Sequence, residues 1–162
     1  MTVDPAVLQE LGSLRTRLPE LSGSVIATAD GMVVAYDSPG IEADSLAALA
    51  AAHLALARRF AHAVSHGELR ESVVECDGGY ITSYAAGPNA LLTLVTTGSA
   101  NLAIVHLEAR RSVRRLMPML THETAAPAPP EIPLPAGTPK PLARRTPMAT
   151  LPDHIRHRQA AG

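Results

Sequence analysis

SLAALAAAHLALARRFAHAV, residues 45–64, reads as one helix that is apolar on more than one side. A surface helix normally carries one apolar stripe facing the core. Here Leu46, Leu49, His53, Leu56, Phe60 and Val64 trace one stripe, and Ala47, Ala50, Ala51 and Leu54 trace a second. Two apolar stripes require two covers. What covers the second is the question on which both fold and function turn.

The flanking sequence supplies the first cover. Asp4-Pro5 is a helix start, with Asp as N-cap and Pro at the first helical position. Val7, Leu11, Leu14 and Leu18 then recur at helical spacing up to Pro19. Residues 23–37, GSVIATADGMVVAYD, are two β-rich runs split by Asp30-Gly31, a pair suited to a tight type I′ hairpin turn. The quoted helix spans roughly residues 43–65 and is ended by Gly67. ESVVEC (71–76), YITSYAA (80–86) and ALLTLVTT (90–97) are strands, and their short Gly-containing links join antiparallel neighbours only. A last helix over residues 101–117 has the stripe Leu102, Val105, Ala109, Val113 and Leu116, and Pro118 closes it. The economical packing is an α+β sandwich of order α-β-β-α-β-β-β-α. Its five-stranded antiparallel sheet carries the long helix on one face and the two terminal helices on the other.

Composition narrows the function. The 162 residues carry a formal net charge of −1, with no Trp, one Phe and three Tyr. The basic stripe and stacking platforms of a nucleic-acid binder are therefore missing, and no nucleic-acid partner is expected. The uncharged run Ser45–Ala57 is well short of the roughly 20 residues that a membrane span needs. No basic segment followed by an apolar one opens the chain, and Cys76 is the single cysteine. The expectation is a cytoplasmic protein without membrane insertion. The only lysine, Lys140, lies in a segment (122–162) that holds nine of the 14 prolines and no aromatic residue. That segment reads as a disordered tail beyond a domain of residues 1–121.

With the larger Leu/Phe stripe set on the sheet, the Ala-rich stripe faces outward, where its small side chains let another backbone approach closely. The expected cover is the same helix of a second copy about a two-fold axis, the tail being the alternative. Three stretches now combine. The Asp30-Gly31 hairpin and Ala-rich helix of GSVIATADGMVVAYDSPGIEADSLAALAAAHLALARRF precede GPNALLTLVTTGSANLAIVHLEARRSVRRL, with its Asn101-Leu102 helix entry. Over roughly residues 4–120 the chain resembles the Roadblock/dynein light chain family, in its bacterial MglB-like branch of conservon operons. The resemblance implies a profilin-like and longin-like fold. It implies dimerisation through the second helix (Ala47, Ala50, Ala51, Leu54) and through edge pairing of the third strand (Ser72, Val73, Val74). It also implies a small Ras-like GTPase as partner, bound for activation, exchange or scaffolding.

Catalytic patterns are scarce. No G-x-S-x-G, H-E-x-x-H or phosphate-loop motif is present, so no catalytic residue and no cofactor is expected. His62 and His66 share a helical face at metal-binding spacing but lack a third ligand, so no metal is expected either. Cys76 reads as a small buried apolar residue, and His53 as a packed core or interface histidine. Arg110, Arg111, Arg114 and Arg115 suit the negative end of the last helix, or an acidic or membrane partner. Arg58 and Arg59, with His62, follow the Ala stripe and are assigned to GTPase binding rather than to an arginine finger, because the resemblance implies a partner that repositions the GTPase's own residues. The expectation is a homodimeric, non-enzymatic GTPase regulator or adaptor; a profilin-like or GAF-like small-ligand sensor and a structural scaffold are the alternatives.

Overall fold

A computed structural model of the chain describes residues 4–123; the proline-rich segment assigned to the tail lies, from residue 124 on, outside them. The elements are α1 (Pro5–Arg17), β1 (Leu21–Thr28), β2 (Val33–Asp37), α2 (Ala43–Ala63), β3 (Glu71–Cys76), β4 (Gly79–Ala85), β5 (Ala90–Thr97) and α3 (Leu102–Glu123). Side-chain caps begin all three helices. Asp4 accepts from the Ala6 amide, Glu42 from Ser45, and Asn101 from Ala103.

Two local expectations fail. The Gly31 amide donates to the Thr28 carbonyl, and positive φ falls on Gly31 but not on Asp30. The link is therefore a turn over Ala29-Asp30 followed by a left-handed Gly, not a type I′ turn. The last helix also continues past Pro118 to Glu123. An internal proline costs about 3 kcal/mol, but buried Leu116 and Leu120 hold both sides of it to the core.

All neighbouring strands are antiparallel in the order β2-β1-β5-β4-β3. Helix α2 therefore carries the chain from one sheet edge to the other, and β3 is an edge strand. Gly79, at the β3–β4 turn, permits a close strand approach: a Cβ there would lie 2.0 Å from the Thr96 carbonyl oxygen.

Side-chain alternation divides the core in two. One face of the sheet packs Ile26, Leu92, Leu94 and Tyr84 against Val7, Leu11 and Leu14 of α1 and Val105, Ala109, Val113 and Leu116 of α3. The other packs Val25, Ala27 and Leu91 against α2, and here the sequence expectation is reversed. Ala47, Ala50, Ala51 and Leu54 are the buried stripe, while Leu49, Leu56, Phe60 and Val64 point away from the sheet. The strands already fill this layer with branched side chains, so small helix residues complete it at native density.

Helices α1 and α3 are joined by charge. Arg17 bridges Glu10 and Glu108, at 2.8 Å to each. Arg115 reaches Glu10 at 2.7 Å, and Arg111 reaches Glu108 at the same distance. Burial works against the charged form of Glu10. Hydrogen bonds from Arg115, Ser112 and Arg17 outweigh it and hold the carboxyl at about 2 instead of 4.5. A depressed carboxylate pKa contributes stability above the unfolded value and loses it as the pH falls. Glu10→Gln is therefore expected to lower stability at pH 7 by about 2 kcal/mol. The gap from wild type should narrow as the pH falls from 4.5 towards 2, which urea unfolding at several pH values measures.

Candidate functional site

The reversal of α2 creates the most prominent apolar surface among the described residues. Leu49 is 68% exposed, Phe60 66%, Val64 58% and Leu56 54%. Exposed apolar groups that line up along one helix face mark an interaction surface rather than scattered surface residues. His53 lies within this stripe, and its Nε2 stands 2.7 Å from Ser72 Oγ on β3. The exposed stripe thus adjoins the open edge strand. His53 is an exposed, hydrogen-bonded side chain, not a packed core histidine.

On β3, Glu71–Cys76 pair with β4 on one side only. Ser72 and Val74 are half-buried and Val73 is 41% exposed, so all three expected edge residues stand on the open edge. The helix residues expected beside them do not. Ala47, Ala50, Ala51 and Leu54 are buried against β1 and β5. Cys76 is corrected as well: it ends β3 as an exposed free thiol.

Arg58, Arg59 and His62 are brought together. With Ala63, Gly67, Glu68 and Leu69 they line a cavity of about 400 Å³ at the C-terminal end of α2. Neither arginine forms an ion pair or side-chain hydrogen bond among the described residues. The other arginine cluster behaves differently. Arg110, Arg111 and Arg115 are held by Glu71, Glu108 and Glu10, which leaves Arg114 without an ion-pair partner among the described residues. Because α3 runs on to Glu123, these arginines lie in its middle and not at its negative end, and most of them are used inside the domain, so neither a membrane surface nor an acidic partner is needed to account for them.

A polar chain ties β3 to α3. The Tyr84 hydroxyl meets His106 Nδ1 at 2.8 Å, and that nitrogen lies 3.7 Å from Glu71 Oε1. Arg110 completes the chain with a bidentate clasp on Glu71, at 2.9 and 2.6 Å. That clasp holds the Glu71 carboxyl below its usual range, while burial pushes the Tyr84 hydroxyl up to about 12. Sequence reading missed this cluster, because its members come from three separate elements. It had one faint signal, a histidine one helical turn before Arg110 in an otherwise amphipathic helix. Among the described residues, no group of three or more His, Cys, Asp or Glu side chains is placed to hold a metal, and no helix is long and apolar enough to cross a membrane.

Comparison with known proteins agrees with this architecture. Residues 7–96 match the model of the Roadblock/LC7 domain. MJ1340, an uncharacterized protein of Methanocaldococcus jannaschii, is 27% identical over 100 residues, covering 61% of this chain and 87% of its own. A Roadblock/LC7 domain from Streptomyces avermitilis superposes with a TM-score of 0.65 at 26% identity, over 70% of this chain and 96% of that one. The gliding protein MglB of Thermus thermophilus gives a TM-score of 0.66 at 21% identity, over 72% and 89% of the two chains, a likeness of fold. The family model spans more than half of the chain, over the helix, hairpin, long helix and meander described above, and the chain belongs to the Roadblock/LC7 domain family.

Proposed function

We propose that the chain is a non-enzymatic, homodimeric regulator or adaptor of a small Ras-like GTPase. The observation that carries the dimer is the adjacency of an exposed apolar helix stripe and an open strand edge, joined through His53 and Ser72. A two-fold axis beside this surface lets two α2 helices bury Leu49, Leu56, Phe60 and Val64 together while the two β3 strands pair edge to edge. Each such side chain, fully buried, contributes about 1.5–3 kcal/mol. The seam differs from the one expected on the sequence: Ala47, Ala50, Ala51 and Leu54 act within the monomer, and Ser72, Val73 and Val74 keep their place in the interface.

The GTPase partner rests on the family resemblance. Arg58, Arg59 and His62 are its contact residues in this reading. They line a cavity at the end of α2, and the two guanidinium groups have no ion-pair partner among the described residues. The dimer acts by binding one conformation of the GTPase switch region more tightly than another, the only way a partner shifts such an equilibrium. Cys76, exposed and unpaired, suits the reducing cytoplasmic setting in which such partners meet.

Two experiments test this reading. Phe60→Glu combined with Leu56→Glu places charges in the proposed seam and should weaken self-association by about 100-fold or more, while the melting temperature of the monomer holds because both positions are exposed in it. Ala50→Glu should instead unfold the domain. Sedimentation of the wild type as a monomer at tens of micromolar overturns the dimer. Reversing the charges of Arg58 and Arg59 together should leave the dimer intact and weaken GTPase binding, with loss of most of its salt dependence. Titration of the GTPase in its GDP and GTP-analogue forms at two salt concentrations measures this, and unchanged binding at both places the contact elsewhere.

A further inference from the structure

On the α3 side of the segment leading into β3 lies a second cavity, of about 310 Å³, at the small end of the range for ligand sites. Arg70, Arg110 and Arg114 line it around a single carboxylate, that of Glu71. Both oxygens of Glu71 are taken by Arg110. Arg70 and Arg114 form no ion pair or side-chain hydrogen bond among the described residues. Between these charges the walls are Leu69, Ala85 and Val113, with the ring of Tyr84 beside them.

We propose that this cavity is a binding site for a carboxylate that carries a short aliphatic body. Two guanidinium forks that form no ion pair or side-chain hydrogen bond among the described residues match the planar, bidentate geometry of a carboxylate, and Arg110 is already oriented by Glu71. The aliphatic walls select against a bare, strongly hydrated anion such as phosphate, which would lose water to hydrocarbon without replacement. They reward a ligand that sets hydrocarbon against Leu69 and Val113 and its charge towards Arg70 and Arg114. A free short-chain acid and the aliphatic C-terminal residue of a peptide share this chemistry. The site is independent of the GTPase reading, since it uses neither Arg58, Arg59 nor His62.

The test is a titration of the full chain, followed by nuclear magnetic resonance of the arginine side chains and requiring no GTPase. Hexanoate represents the free acid and N-acetylleucine the chain end; hexanamide and inorganic phosphate are the controls. Saturable binding of the carboxylates in the millimolar range, with hexanamide at least about tenfold weaker, supports the site. The tighter of the two carboxylates identifies the source. Arg70→Gln with Arg114→Gln should weaken carboxylate binding by about tenfold or more. The variant should melt nearly like wild type, because neither arginine forms an ion pair or side-chain hydrogen bond among the described residues. Absence of saturation, equal binding of hexanamide, tighter binding of phosphate, or an unaffected double variant each overturns the proposal.

Discussion

A sheet buried on both faces needs a tightly fitted cover on each, and the cover supplied by α2 is made mainly of alanines, with Leu54 beside them. Val25, Ala27 and Leu91 already occupy the layer beneath it, so Ala47, Ala50 and Ala51 let the helix settle close to the strands. The contact is close elsewhere too: a Cβ on Gly31 would stand 2.9 Å from the Ala48 backbone. Everything on the outer side follows from this seating. With the small residues spent inward, the helix presents Leu49, Leu56 and Phe60 to the outside, beside the open edge of β3.

The opposite layer is organised by electrostatics as well as by apolar packing. Glu10 and Glu108 each receive two arginines, which turns the potentially repulsive Arg-rich end of α3 into an interlock with α1. This distribution separates structural arginines from available ones. Arg17, Arg110, Arg111 and Arg115 are committed, whereas Arg58, Arg59, Arg70 and Arg114 form no ion pair among the described residues. Surface charge alone is weak evidence for a site. Guanidinium groups without an ion-pair partner among the described residues, gathered around a cavity in a domain that pairs its other arginines with carboxylates, carry more weight.

Edge strands invite unintended pairing unless they are short, charged or covered. Here β3 keeps an open edge and is instead fixed from both sides of the sheet. His53 of α2 holds Ser72, while Arg110 of α3 holds Glu71. Neighbouring residues on a strand point to opposite faces, so adjacent positions can anchor one strand to both helical layers. The result is an open edge held in defined geometry.

The edge position of β3 was implied by the family resemblance, while the element order, the cap at Asp4 and the antiparallel meander were legible in the sequence. They rest on local chemistry: capping side chains, turn residues, hydrophobic periodicity and link lengths too short for parallel strands. Arg58, Arg59 and His62 were legible as neighbours because one helix turn joins them. Tertiary structure alone decided which stripe of α2 faces the sheet. Hydrophobicity favoured Leu49, Leu56 and Phe60, but the volume left above Val25 and Leu91 favoured Ala47, Ala50 and Ala51. Tertiary structure likewise decided that Arg110 meets Glu71, 39 residues away, and that Arg115 meets Glu10, 105 residues away. Periodicity reports that a face is apolar, whereas close packing and long-range pairing depend on shapes and charges that meet only once the layers are assembled.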